Sequence, residues 1–238
     1  MTRRFHAFLL CLGLGATPAL AQQATPPPPT TSPPPTAPVA SPVAAAPAKG
    51  GTMIVNFLGP VTSASMAEIV RAGQDAALVG ASELQINISS GGGRVNAARF
   101  AVNALRALPI KVVTVAMSDV GSSAVALFCA GEERHVAPGA SILLHQLTRF
   151  AERSVKTAAA MEREDQIVRG WYDGVLLGCL TDPGMMAEIE IYNTRDVILD
   201  ESDARRLGMA NTEFGTLRIK KIFGRAVNIV PGELKPVE

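Results

Sequence analysis

Apolar residues follow two alternating patterns from about residue 51 onward. Short apolar runs bounded by glycine, proline or serine predict β-strands at residues 53–58, 83–88, 110–116, 134–137, 141–145 and 197–198. Apolar residues at helical spacing predict helices at residues 63–79, 95–108, 122–130, 152–178, 185–192 and 201–207. Ser63 or Ser65 is the expected N-cap of the first helix. This alternation predicts an α/β fold with a largely parallel sheet and helices on its faces.

The N-terminal 21 residues have the three parts of an export signal. Arg3 and Arg4 supply positive charge, and residues 7–15 form an apolar run that is too short to span a bilayer. Ala19-Leu20-Ala21 is a small-x-small cleavage site, so we predict cleavage after Ala21. An uncleaved membrane anchor is the alternative, and the arginine pair leaves Sec and Tat export both open.

Residues 22–50 consist mainly of proline, alanine, threonine and serine. Such a segment cannot bury enough apolar surface to offset the entropy of ordering, so we predict an extended, disordered linker. The folded domain is then expected at residues 51–215, and residues 216–238 form a peripheral strand or tail. Together with the export signal, this organisation predicts a periplasmic protein.

The charge, aromatic content and cysteine content of the chain argue against nucleic-acid binding and metal binding. The formal net charge is +1 and aromatic residues make up 5% of the chain, which argues against a nucleic-acid partner. No CxxC motif or His/Cys cluster is present, so we expect no metal and no cofactor. Cys129 and Cys179 remain after signal removal, either as a disulfide or as two small core residues.

Three features that could take part in catalysis or binding lie at the ends of predicted strands. They are the Ser89-Ser90-Gly91-Gly92-Gly93 turn, Ser122 at a helix start, and His145 at a strand end. Active sites gather at the carboxyl ends of parallel strands. His6 is lost with the signal, and His135 follows charged residues that predict a solvated position. Each feature also has a non-catalytic explanation: the glycine turn could be a flexible turn, Ser122 a helix cap, and His145 a structural histidine.

These features occur in a recognisable order. Ser90-Gly91-Gly92-Gly93, Gly121-Ser122-Ser123-Ala124, Ala130-Gly131 and His145-Gln146-Leu147 follow one another along the chain. The order resembles that of the Clp protease proteolytic subunit and its crotonase-like relatives, whose runs are Ser-Pro-Gly-Gly, Ala-Ser-Met-Gly, Ala-Gly and His-Gln-Pro. The resemblance spans residues 52–212 and implies a fold of repeated β-β-α units.

The resemblance also implies the site residues. Aligned back from Ala130-Gly131 without gaps, it places the nucleophile at Ser122, and the His-Gln match places the general base at His145. Its oxyanion donors fall on the backbone of Gly92 or Gly93 and of Ser123.

The third triad member in the family precedes an apolar pair and a helix that ends in Gly-Leu. The matching position here is Asp196, which is followed by Val197 and Ile198. Asp200 and Asp203 are the competing carboxylates, but they fall in the next turn and helix.

The function implied is that of an exported serine peptidase, a homo-oligomer that associates through residues 152–192 and acts on peptides or proteins. Export separates it from any ATP-dependent unfoldase. Gly91, Ser123 and Leu147 replace the family's proline, methionine and proline. These departures keep open a catalytically inactive binding or assembly module in the periplasm. An acyl-CoA enzyme of the crotonase type is a further alternative, although such an enzyme needs no Ser-His-Asp set.

Overall fold

A computed structural model describes residues 50–148, 157–217 and 227–230. Within these ranges, seven strands form one sheet: β1 (Thr52–Leu58), β2 (Glu83–Ser90), β3 (Lys111–Gly121), β4 (Glu133–Val136), β5 (Ile142–Leu144), β6 (Val197–Leu199) and β7 (Val227–Ile229). Their order is β6-β5-β3-β2-β1-β7, with β4 also paired to β3. All pairs are parallel except β5 with β6. The predicted α/β class with a largely parallel sheet is confirmed.

The described helices are α1 (Ser63–Leu78), α2 (Val95–Arg106), α3 (Ser123–Phe128), α4 (Ala158–Leu177), α5 (Met186–Ile189) and α6 (Glu201–Arg206). Helices α1, α2 and α3 pack side by side, and their buried residues join those of the strands in one apolar core. The predicted signal peptide, nearly all of the predicted linker and the first residues of the predicted long helix lie outside the described residues. Among the described helices, none is long and apolar enough to cross a membrane.

Strand β3 extends five residues past its predicted end at residue 116 and stops at Gly121. The exposed residues 117–119 break the apolar pattern there, which is why sequence periodicity ended the strand early. The strand continues because Val120 pairs with Ile142 and the next residue pairs with Leu143. Strand β4 therefore lies beside the first part of β3 and β5 beside its last two residues.

Helix α1 is capped one residue earlier than predicted. The N-cap is Thr62, whose Oγ1 accepts a hydrogen bond from the Ser65 N–H at 3.1 Å. The Ser65 hydroxyl accepts in turn from the Thr62 N–H at 2.9 Å. Ser63 and Ser65 are therefore not the cap, and Ser65 is instead the returning member of a capping box.

His135 is fully buried, so its predicted surface position is wrong. Its Nε2 lies 2.8 Å from a carboxylate oxygen of Glu133, and its Nδ1 lies 3.1 Å from the carbonyl of Glu213. These two partners, the neighbouring Glu133 and the distant Glu213 carbonyl, make the burial tolerable.

Arg134 is also buried and binds four backbone carbonyls. Its guanidinium donates to Gly131 at 2.9 Å, Cys179 at 3.1 Å, Gly208 at 3.0 Å and Met209 at 2.7 Å. Burial lowers the pKa of Arg134, with a smaller contribution from Arg106. The side chain thus ties β4 to the ends of α4 and α6.

Cys129 and Cys179 are joined by a disulfide across a Cα–Cα separation of 5.3 Å. Cys129 is the C-cap of α3, and Cys179 follows the C-cap of α4. Both cysteines are buried in the core. The bond therefore couples α3, the helix that follows Ser122, to the long helix α4.

Candidate active site

Ser122 has an unusual backbone conformation. It lies between the end of β3 and the start of α3, with φ 53° and ψ −130°. Within the described residues it is the one non-glycine residue with positive φ. Such a conformation is costly for a residue with a Cβ and is concentrated at functional sites. The Ser122 side chain makes no capping hydrogen bond, so the plainer explanation as a helix cap does not account for it.

Three hydrogen bonds hold the backbone of Ser122. Its N–H donates to the carbonyl of Leu143 on the adjacent strand at 2.9 Å. Its own carbonyl accepts from the N–H of Val125 at 2.9 Å and from the hydroxyl of Tyr172 at 2.8 Å. The neighbouring Ser123 is fully buried, and its hydroxyl has no hydrogen-bond partner among the residues that the structure describes.

The glycine turn after β2 contacts Ser122 directly. Gly92 has φ 99°, and a Cβ there would lie 2.6 Å from the Cβ of Ser122 and 3.1 Å from the backbone nitrogen of Ser123. Only glycine permits so close an approach. The Gly92 N–H donates a hydrogen bond to the Ser90 hydroxyl oxygen at 3.2 Å. Neither the Gly93 N–H nor the Ser123 N–H donates to another described residue.

His145 follows β5 directly, at the same edge of the sheet as Ser122. Its Nδ1 lies 2.8 Å from the carbonyl oxygen of Gln146. A carbonyl can only accept, so Nδ1 carries a proton in this contact, and in the neutral imidazole Nε2 is then the acceptor. This is the tautomer that a general base facing a hydroxyl requires.

Asp196 precedes β6, which runs antiparallel to β5. Leu144 pairs with Val197, and the same register continued by one residue places Asp196 opposite His145. The two side chains are therefore on neighbouring chain segments at one edge of the sheet. Asp196 is exposed and, unlike His145, does not line the cavity at this edge.

One cavity of about 240 Å³ brings together four of the predicted residues, Gly92, Gly93, Ser122 and His145, but neither Ser123 nor Asp196. It is lined by Gly91, Gly92, Gly93, Val95, Ser122, His145, Leu147 and Thr148. No hydrogen bond joins Ser122 to His145 or His145 to Asp196, all three being described residues. The described residues include no group of three or more histidines, cysteines, aspartates and glutamates that could hold a metal ion.

Tyr172 contacts this site and was not predicted from the sequence. It lies in α4, it is fully buried, and burial raises its pKa, so its hydroxyl stays a donor to Ser122. Its position four residues after Val168 and three before Val175 indicates an inward-facing residue. A tyrosine on such a face needs a hydrogen-bond partner, which is the signal that could have identified it.

The family model described as Clp protease matches residues 53–213. The chain belongs to the Clp protease family. Members of this family typically form homo-oligomers and act on peptide substrates. No curated protein sequence matches this Clp protease family chain.

Proposed function

We propose that this Clp protease family chain is an exported serine peptidase with Ser122 as nucleophile, His145 as general base and Asp196 as the orienting acid. The observation that carries the proposal is the shared cavity. Ser122, held in a strained conformation, faces the same space as His145 and the glycine turn.

The chemistry is acyl transfer to water. His145 Nε2 takes the proton of the Ser122 hydroxyl while the serine oxygen bonds to the peptide carbonyl carbon. The same nitrogen then gives that proton to the leaving amine as the C–N bond breaks. Water repeats the sequence on the acyl-enzyme, which releases the acid and restores Ser122.

The oxyanion would be bound by backbone N–H groups. Gly93 and Ser123 are the donors that we favour, because their N–H groups have no acceptor among the described residues. The Gly92 N–H is the weaker candidate, because the Ser90 hydroxyl already accepts from it. A donor of this kind contributes about 3 kcal/mol to the transition state.

Asp196 would orient the imidazolium. The register of β5 and β6 supports this role, because it places Asp196 across from His145. We propose that the carboxylate replaces the Gln146 carbonyl as the Nδ1 partner when substrate is bound. Catalytic hydrogen bonds are often long or misaligned before substrate binds.

A non-catalytic binding or assembly module is the second candidate. The observation that favours it is the Nδ1 contact of His145 with Gln146, in place of a hydrogen bond to Asp196. In such a protein the cavity would hold a peptide without cleaving it.

Self-association is proposed through the first half of α4. Ile167 is 51% exposed there, whereas Val175 and Leu176 are buried in the core of the same chain. The second half of α4 therefore packs within its own chain, against α3. We place the protein in the periplasm, without an ATP-dependent unfoldase, on the basis of the signal-like residues 1–21.

Hydrolysis of a fluorogenic peptide library tests the peptidase proposal. We expect wild-type cleavage, with rates at least about 1,000-fold lower for Ser122→Ala and His145→Ala. Asp196→Asn should lose activity, whereas the control Asp200→Asn should keep it, because asparagine can still cap α6. Peptide binding without cleavage by the wild-type protein would favour the non-catalytic module.

A further inference from the structure

Tyr172 is connected to the candidate site through one atom, the carbonyl oxygen of Ser122. The tyrosine hydroxyl donates to that oxygen at 2.8 Å, and the side chain itself is fully buried outside the cavity lining. Tyr172 therefore cannot touch a substrate in the cavity. Any effect on the reaction has to pass through the backbone of Ser122.

The carbonyl of Ser122 and the N–H of Ser123 belong to the same planar peptide unit. A hydrogen bond that fixes the carbonyl direction therefore also fixes the direction of the N–H on the opposite side. Donation to a carbonyl also polarises the peptide and strengthens its N–H as a donor. The N–H concerned is one of the two proposed oxyanion donors.

The surroundings of Tyr172 make its hydroxyl a fixed group. Tyr192 packs against it edge to face, with the ring centroids 5.9 Å apart. Val175 and Leu176 anchor the same helix in the core, and the disulfide after α4 ties that helix to α3. A rigid donor from a separate helix can hold the Ser122–Ser123 peptide in place although the φ of Ser122 is unfavourable.

We propose that Tyr172 is a positioning residue, which orients and polarises the Ser122–Ser123 peptide and so tunes both the nucleophile and the oxyanion donor. The inference rests on the proposed peptidase function. It assigns a catalytic consequence to a residue of α4 that lies outside the cavity.

The test compares two conservative substitutions in the full chain. Tyr172→Phe removes the hydroxyl on the Ser122 carbonyl and keeps the ring. Tyr192→Phe is the matched control, because its hydroxyl donates to Asp173 and not to the site. For each protein we would measure kcat and KM for a peptide, the rate of fluorophosphonate labelling, and the unfolding midpoint.

We expect kcat and the labelling rate of Tyr172→Phe to fall about tenfold, equivalent to about 1.4 kcal/mol, with KM within about twofold of wild type. Tyr192→Phe should keep both rates within about twofold. Wild-type rates in Tyr172→Phe, or equal losses in the two variants, would overturn the positioning role. A merely structural defect would lower the unfolding midpoint without this split between kcat and KM.

An inactive wild-type protein would refute the peptidase proposal, and the positioning role is then tested on conformation alone. Serine labelled with ¹³C at the carbonyl and ¹⁵N at the amide marks only the Ser89–Ser90 and Ser122–Ser123 peptides. The signal of the Ser122–Ser123 peptide is identified by its loss in a Ser123→Ala variant. The Ser123 amide resonance should shift in Tyr172→Phe and stay in place in Tyr192→Phe. An unchanged resonance in Tyr172→Phe would refute the positioning role.

Discussion

Reduction of the Cys129–Cys179 disulfide should destabilise the protein by an amount that follows from its position in the chain. The two cysteines are 50 residues apart. In the chain-entropy description, a closed loop of that length restricts the unfolded state by about 4 kcal/mol. The bond joins the ends of α3 and α4, so its loss also loosens the helix that carries Tyr172 from the helix that follows Ser122.

The assay is urea unfolding with and without a reductant, in a Cys11→Ala background so that only this pair can bond. We expect the reductant to lower the free energy of unfolding by about 4 kcal/mol. The double variant Cys129→Ala/Cys179→Ala is the control and should not respond to the reductant. A loss below about 1 kcal/mol, or free alkylation of both thiols in the denatured but unreduced protein, would refute the reasoning.

Further predictions concern the glycine turn and the buried charges. Gly92→Ala places a methyl 2.6 Å from the Cβ of the proposed nucleophile and should abolish peptidase activity. The control Gly174→Ala, in the second half of α4 with open space around it and outside the cavity lining, should keep it. Arg134→Leu leaves four buried carbonyls without their donor and should lower the free energy of unfolding by at least about 3 kcal/mol in urea unfolding. Arg134→Lys should recover less than half of that loss, because an ammonium cannot reproduce the guanidinium geometry. The hydrogen bond from Lys111 lowers the pKa of Glu133, so Glu133 stabilises the fold above its ordinary pKa and loses that effect as pH falls through the lower value. The stability difference between wild type and Glu133→Gln should therefore shrink between about pH 6 and pH 3 in denaturant titrations, and a difference that grows would contradict this assignment.

The order of strands and helices was predictable because each element has a clear apolar period and is bounded by glycine, proline or serine. The convergence of Ser122 and His145 followed from that order, since both stand at the carboxyl ends of predicted strands. The end of β3 was not predictable, because the exposed residues 117–119 break the apolar pattern while the strand goes on pairing.

Contacts between distant parts of the chain explain the remaining differences. His135 appeared exposed from its neighbours, but burial depends on Glu213, far along the chain. The hydrogen bond from Tyr172 to Ser122 spans 50 residues, and no local pattern encodes it. The positive φ of Ser122 is likewise imposed by the strand on one side and α4 on the other.

Mapping the adduct formed with a fluorophosphonate tests most directly whether Ser122 is the nucleophile. The intact, folded protein is treated with the reagent, digested, and sequenced by mass spectrometry. We expect one phosphonylated residue, Ser122, with labelling lost in Ser122→Ala and His145→Ala and kept in Ser123→Ala. An adduct on Ser123, or no adduct on a folded protein, would contradict the assignment of Ser122 as the nucleophile.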